Sequence, residues 1–393
     1  MSKKNTPAKN KASATAILES VKPEVRNLNL DSFRGLLALS VIISHLEYIR
    51  LFFGMPTYFM QPVIFHLGRI GVTGFFVLSG FLITNNLLKM KHDGCSNADR
   101  IKRFYTKRAL RILPLYYTII LLSIFVFPHI PSLHYQFYPT IIDARTVMDK
   151  VGVYYYLLLP QIPIANNIVL PFAEPTWSIG VEEMFYLLIP LFVFFTSFRK
   201  RWIVLAAVLY TLLKVYIWVT VPNAKNLPIF SFLALSRFDC ILVGCLMSCL
   251  VAEGSRLYNN LNAAHFYTAL VLLIVSIIIV HVDLYLYIHF AVFFGVMILY
   301  FYKRPFAFLN NRILVFIGKI SFSIYLVHEI AIVFLLNNET ISPKNEFSSP
   351  FLYIIVIAFS ILLGWVLFKL IEEPFIKIKN KVDSKRTVQI QKT

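Results

Sequence analysis

Charge is scarce in this chain and acid scarcest. Asp, Glu, Lys and Arg make up 15% of the 393 residues, with 20 acidic side chains against 38 basic ones. Soluble domains carry about 25% charged residues, and 58% hydrophobic residues with a mean hydropathy of +0.69 exclude that class. Cysteine is nearly absent. Cys240, Cys245 and Cys249 share one apolar segment and Cys95 lies in a basic loop, so the four do not form a disulfide framework and read as free thiols or small hydrophobes. No cleavable signal peptide is expected, because residues 1–27 are polar, Lys-rich and lack an apolar core.

What the chain has is apolar length. Segments of about 20 residues, enough to cross a bilayer, recur at 34–53, 70–88, 109–128, 176–198, 202–220, 228–252, 264–282, 285–302, 313–336 and 351–371. The expected fold is therefore all-α, a polytopic membrane protein of ten transmembrane helices. The seventh and eighth, separated by little more than His281-Val282-Asp283, could instead form one hairpin. Residues 129–175 are expected to stay outside the core as a long loop with a short helix near 145–159. The chain divides into a disordered basic tail (1–27), a membrane domain (28–376) and a second basic tail (377–393). The 36 Phe and 21 Tyr suit lipid-facing surfaces and interfacial belts.

Charge sets the orientation. With the N-terminus inside, 27 Lys and Arg fall on inner segments and six on outer ones (Arg50, Arg69, Arg145, Lys150, Lys225, Lys344). Such a positive-inside bias places both termini in the cytoplasm. The net charge of +18 then reflects topology and anionic lipid, not nucleic acid.

Arg34 and His45 lie inside the first apolar segment. Ionisable residues in lipid usually face a bundle interior and mark a site, although an arginine snorkelling at the interface and a histidine satisfied by a neighbouring helix would give the same letters. Eleven residues make about three helical turns, so the two side chains share a face roughly 16 Å apart along the axis. With helices of opposite direction placed by the charge rule, His45, Ser79, Glu182 and Arg237 fall near one depth, slightly outside the midplane. A purely structural network, with Glu182 or Glu183 paired to Arg237, is the competing account. Below that level runs Lys102-Arg103-Phe104-Tyr105-Thr106-Lys107-Arg108-Ala109-Leu110-Arg111. Arg108 and Arg111 are one turn apart and share a face, and clustered guanidinium groups suit phosphate. Lys89, Lys91 and Arg100 read as ordinary interfacial anchors. The small residues of Gly71-Val72-Thr73-Gly74 and Ser79-Gly80 permit close helix contact or room for a thin ligand.

These residues together resemble the acyltransferase-3 family of integral membrane O-acyltransferases, over roughly residues 28–376. The resemblance is carried by Arg34 with His45, by Phe75-Phe76-Val77-Leu78-Ser79-Gly80, by Arg108 and Arg111, and by Trp177-Ser178 with Glu182-Glu183 and Phe185-Tyr186. Later elements are Arg237-Phe238-Asp239, Ser321-Phe322-Ser323-Ile324-Tyr325-Leu326 with His328, and Glu372-Glu373-Pro374-Phe375. Each is degenerate alone; their order is specific. Thr73-Gly74 stands where relatives often carry an acidic residue, Gly180 where serine is common, and Val327 where an aromatic often precedes the histidine. The chain looks like the single-domain form, without a fused esterase-like domain.

The resemblance implies transfer of an acyl group, acetyl being expected, from cytoplasmic acetyl-CoA to a sugar hydroxyl of an extracytoplasmic glycan or glycolipid. It implies a bacterial inner-membrane protein with no permanently bound cofactor and no assigned metal ligands; a homo-oligomer is left open. Arg108, Arg111, Lys107 and Ser79 are the expected donor-binding residues. His45, Arg34 and Glu182 are the expected catalytic group. His45 could act as general base on the acceptor or form an acyl-imidazole first, Glu182 could orient His45 or bind the sugar, and Arg34 could hold the thioester carbonyl or a phosphate. Glu183, Arg237, Trp177 and His328 are expected at the acceptor, with His328 one turn from the outer edge. Tyr135, Phe137, Tyr138 and Tyr154-Tyr155-Tyr156 could stack on sugar rings or anchor the interface. O-antigen, capsule, peptidoglycan and a secondary metabolite all remain open as acceptors. A transporter or flippase would also carry intramembrane Arg, Glu and His, but neither a hydropathy repeat nor paired broken helices, its usual pointers, is visible. A scaffold with a dead site fits poorly with an intact Arg34 and His45.

Overall fold

A computed structural model describes residues 27–91, 93–133, 144–196, 199–279 and 286–380, without the side chain of Lys225. Helix is the only regular structure among these residues. The helices are α1 (Leu28–Phe52), α2 (Pro62–Met90), α3 (Asn97–Phe125), α4 (Ala144–Tyr156), α5 (Gln161–Ala165), α6 (Thr176–Phe195), α7 (Lys200–Thr220), α8 (Pro228–Ser236), α9 (Phe238–Ala252), α10 (Arg256–Asn259), α11 (Ala263–Ile279), α12 (Ile288–Lys303), α13 (Arg312–Lys319), α14 (Ser321–Leu336) and α15 (Pro350–Leu367). Their ends follow local chemistry. The Asn27 side chain accepts from Leu30 N, Ser96 from Asp99 N and Ser349 from Leu352 N, each supplying an acceptor to a helix N-terminus that lacks one. The tails expected at 1–27 and 377–393 lie outside the described residues, except that Asn27 is this cap and residues 377–380 continue the last helix.

Seven helical stretches are long and apolar enough to span a bilayer, and an eighth if α13 and α14 count as one span bent by 80°. The expected ten is not reached among the described residues. Within the described residues α11 and α12 are 17 and 16 residues long, and length is what separates them from the rest. One span is bent, α13–α14 at Ile320; within another, α8–α9, the helix is interrupted at Arg237, which adopts the left-handed conformation with φ 42°. The sequence reading missed both breaks because neither contains Gly or Pro.

At the centre, α2 packs against α1 and α9. Small residues set the spacing: a Cβ on Gly80 would strike the Ile241 carbonyl, and one on Gly244 the Val77 carbonyl. The small-residue stretch therefore serves backbone contact. The segment expected as a long loop with a short helix near 145–159 carries that helix as α4 and packs against the bundle. Tyr155 is fully buried, takes a hydrogen bond from Leu170 N at 3.0 Å, and its carbonyl accepts from Tyr116 Oη at 2.9 Å. Tyr155 is thus a loop anchor and not a sugar platform; Tyr135, Phe137 and Tyr138 lie outside the described residues.

Helix α7 faces outward, with Leu205, Leu209, Leu212 and Tyr216 exposed. A buried ion pair ties it to the core: Lys214 Nζ lies 2.6 Å from Asp239 Oδ2, both side chains at or below 1% exposure. Removing one partner of such a pair strands a charge, at about 3–5 kcal/mol. Asp239→Ala is accordingly expected to lower the unfolding temperature in detergent, whereas Lys214→Met with Asp239→Leu should recover most of it. Equal melting of Asp239→Ala and wild type would show that the pair contributes nothing.

Candidate functional site

The expected site residues separate into three groups. The first lines an open cavity with about 860 Å³ of empty space including its mouth. Arg34 of α1, Ser79 of α2, Arg108 and Arg111 of α3, and Glu182 of α6 all reach it. Ser79 donates to Glu182 Oε1 at 2.8 Å, and Tyr186 donates to Glu182 Oε2. Arg108 lies over the Tyr186 ring at 5.0 Å and within electrostatic reach of Glu182 and Glu183. Arg111 and Arg34 face Glu372, which a π-helical turn at Phe368–Glu372 brings inward to accept from Ser323 at 2.7 Å. Three guanidinium groups around one opening suit an anionic group. Lys107 does not line the cavity, because it projects from a different face of α3 than Arg108 and Arg111.

The cavity's wall includes Ser178 and Tyr325, whose hydroxyls are 2.9 Å apart. Tyr325 leads to the second group. Its carbonyl accepts from His328 Nδ1 at 2.7 Å, and His328 Nε2 lies 2.7 Å from His45 Nδ1. Glu329 Oε1 lies 3.8 Å from the same His45 nitrogen. His328 sits midway along α14, about two turns from its end, and is fully buried. The expectation of a peripheral acceptor contact is thereby corrected: His328 is the partner of His45. His45 keeps 26% of its side-chain surface accessible. Glu182, expected to orient His45, instead bonds Ser79 and Tyr186, and Glu329 takes the place beside His45. Nothing in the spacing pointed to Glu329, since it adjoins a motif histidine but joins the site only through the packing of α14 on α1. His45, His328 and Glu329 bring their donor atoms within 4.8 Å of one another. One zinc ion bound by both imidazoles would hold the two nitrogens about 3.3 Å apart, given tetrahedral bonds of 2.0–2.1 Å; at 2.7 Å they form a hydrogen-bonded pair.

Arg237 belongs to a third group. Its Nη1 donates to the Arg69 carbonyl at 2.8 Å and to Thr73 Oγ1 at 3.0 Å, and its guanidinium stacks on Tyr287 at 3.9 Å and Trp177 at 5.7 Å. Neither Glu182 nor Glu183 pairs with it. Thr73, where an acidic residue was expected, faces this arginine with a neutral hydroxyl. Trp177 also packs edge-on against Phe76, so Trp177 and Arg237 go together, while Glu183 stands on the Arg108 side. The four residues expected at the acceptor are therefore not one cluster. Gly180 also has a local reason. A Cβ there would collide with Gln161 Oε1 and stand 2.7 Å from Pro160 Cδ.

The acyltransferase domain family matches residues 27–369. The chain is 26% identical to the O-acetyltransferase OatA of Staphylococcus aureus over 341 residues, covering 80% of this chain and 55% of that protein. It is 25% identical to the peptidoglycan O-acetyltransferase OatA of Listeria monocytogenes over 378 residues, covering 89% and 56%. An uncharacterized protein of Haemophilus influenzae is 29% identical over 205 residues, covering 48% of this chain and 74% of that one. The chain thus spans about half the length of the first two relatives. No solved structure matches. Apart from Glu372, the motif residues gathered around the cavity and the histidine pair lie within the matched span, and the chain belongs to the acyltransferase-3 family.

Proposed function

We propose that the chain is a membrane O-acetyltransferase of the bacterial plasma membrane that takes acetyl from cytoplasmic acetyl-CoA and places it on a hydroxyl of an extracytoplasmic glycan. Peptidoglycan is the first acceptor to try, since one relative is named for it. The observation that carries the reading is the arginine-lined cavity whose wall, at Tyr325, is hydrogen-bonded to the His328–His45 pair. Phosphates of the donor bind Arg108, Arg111 and Arg34, and the narrow arm extends toward His45. Eleven residues of α1 separate Arg34 from His45, about 16 Å, within the reach of an extended pantetheine chain.

In this reading His45 takes the proton of the acceptor hydroxyl as its oxygen attacks the thioester carbonyl. The carbon–oxygen bond forms, the carbon–sulfur bond breaks, and the proton passes to the departing thiolate. Prior attack by His45 itself would give an acyl-imidazole and the same products. The second reading is a transporter, favoured by the bent α13–α14 span and the interruption in α8–α9. It moves substrate without making an ester, and acetyl analysis of purified peptidoglycan separates the two.

Two outcomes are expected. His45→Ala should abolish ester formation, read by mass spectrometry as loss of the acetyl increment on cell-wall fragments, with expression and insertion near normal; wild-type O-acetylation in this variant would remove the mechanism. Arg108→Ala and Arg111→Ala should each weaken acetyl-CoA binding by roughly ten- to a hundredfold, since a charge-assisted contact contributes about 1.5–3 kcal/mol. Lysine should restore only part, lacking the planar fork, and His45→Ala should bind donor normally. Calorimetry in nanodiscs reads all five variants. Wild-type affinity in both alanine variants would make the cluster a lipid anchor.

A further inference from the structure

His45 has two ring nitrogens, and its chemistry depends on which of them carries the proton. The surrounding hydrogen bonds settle the matter in three steps. His328 Nδ1 lies 2.7 Å from the Tyr325 carbonyl oxygen. A carbonyl can only accept, so the proton of His328 is on Nδ1. A neutral imidazole carries one proton, which leaves Nε2 of His328 as an acceptor. That nitrogen lies 2.7 Å from His45 Nδ1, so His45 Nδ1 is the donor. Nε2 of His45 is then left with its lone pair.

The surroundings reinforce this order. Glu329 Oε1, at 3.8 Å from His45 Nδ1, is too far for a direct hydrogen bond but lies on the protonated side of the ring. The two rings are tilted by 33° with centroids 4.8 Å apart, and the Tyr325 ring lies 5.7 Å from His328 on the other side. His328 is fully buried and His45 is partly accessible. A substrate can therefore reach His45 but not His328.

We propose that His328 is a positioning residue, which holds His45 in the tautomer with its proton on Nδ1 and its lone pair on Nε2. The inference rests on the acyl-transfer reading above, but not on which of its two routes operates. A general base and an attacking nucleophile both need that lone pair. When the acceptor O–H proton arrives at Nε2, the imidazolium of His45 still donates through Nδ1 to His328, and Glu329 faces the same nitrogen. No proton has to leave His328, because its own stays on Nδ1 against the Tyr325 carbonyl. The role is that of a fixed acceptor, comparable to the orienting group behind a catalytic histidine.

The test compares variants in nanodiscs, with acetyl-CoA as donor, soluble peptidoglycan fragments as acceptor, and released CoA thiol as the signal. His328→Leu fills the space without an acceptor, and is expected to lower kcat by about a hundredfold or more with little change in the KM for acetyl-CoA. His328→Gln returns an acceptor oxygen near the position of Nε2 and should recover at least tenfold of that loss. Acetyl-CoA affinity, which reports the arginine cavity, serves as the folding control and should match wild type in both. Nitrogen-15 NMR of ring-labelled protein, with the His45 signals assigned by His45→Ala, should show a protonated Nδ1 and bare Nε2 in wild type and a mixture of tautomers in His328→Leu. Full kcat in His328→Leu, equal loss in the Gln and Leu variants, or a bare Nδ1 on wild-type His45 would each overturn the proposal. Activity retained by His45→Ala would instead overturn the acyl-transfer reading on which it stands.

Discussion

A charged or polar side chain placed in lipid has to find its partner inside the protein, and most of this structure follows from that requirement. Lys214 finds Asp239, which fixes an otherwise lipid-facing helix to the bundle. Arg237 finds a backbone carbonyl, a threonine and two aromatic faces. Glu182 finds Ser79 and Tyr186, and Glu372 finds Ser323. Each pairing joins two elements far apart in sequence, except Glu182 with Tyr186, which lie one turn apart on α6. The polar groups hold the helices in register, while the apolar core fills the space between them.

The arginine-lined cavity and the surroundings of His45 are built differently. Around the cavity, arginines on α1 and α3 are backed by carboxylates on α6 and the last span, which suits the recognition of a polyanion. Around His45 the groups are neutral imidazoles, a tyrosine carbonyl and one glutamate. Tyr325 belongs to both, since its hydroxyl meets Ser178 in the cavity wall and its carbonyl fixes His328. The break at Ile320 makes this sharing possible, because α14 starts at the cavity, where Ser321 and Phe322 line it, and runs toward His45.

The all-helical, membrane-spanning class was legible because length and hydropathy report it directly. The cavity was legible in part: Arg34, Ser79, Arg108, Arg111 and Glu182 were named from spacing, depth and motif, and the structure brings them together. Depth alone misled, however. His45, Ser79, Glu182 and Arg237 were expected at one level, but residues at one level can face different sides of the bundle, and of the four only Ser79 and Glu182 are hydrogen-bonded to each other. Helical spacing gives the direction of a side chain relative to its own helix and says nothing of how two helices are rotated against each other. His328 and Glu329 joined the site for that reason, through the packing of α14 on α1. The bend at Ile320 and the interruption at Arg237 were missed because neither residue carries a breaker signal.

The glycine at position 180 shows how one small residue constrains another. The Gln161 side chain, fully buried and with its amide nitrogen 2.8 Å from Met184 Sδ, fills the space that a side chain at 180 would need. Pro160 closes the same space from the loop side. Positions 161 and 180 thus act as one unit under mutation. A side chain at 180 would require the end of the Gln161 side chain to swing away and Pro160 to shift as well, so what position 180 can hold depends on how freely its two neighbours move.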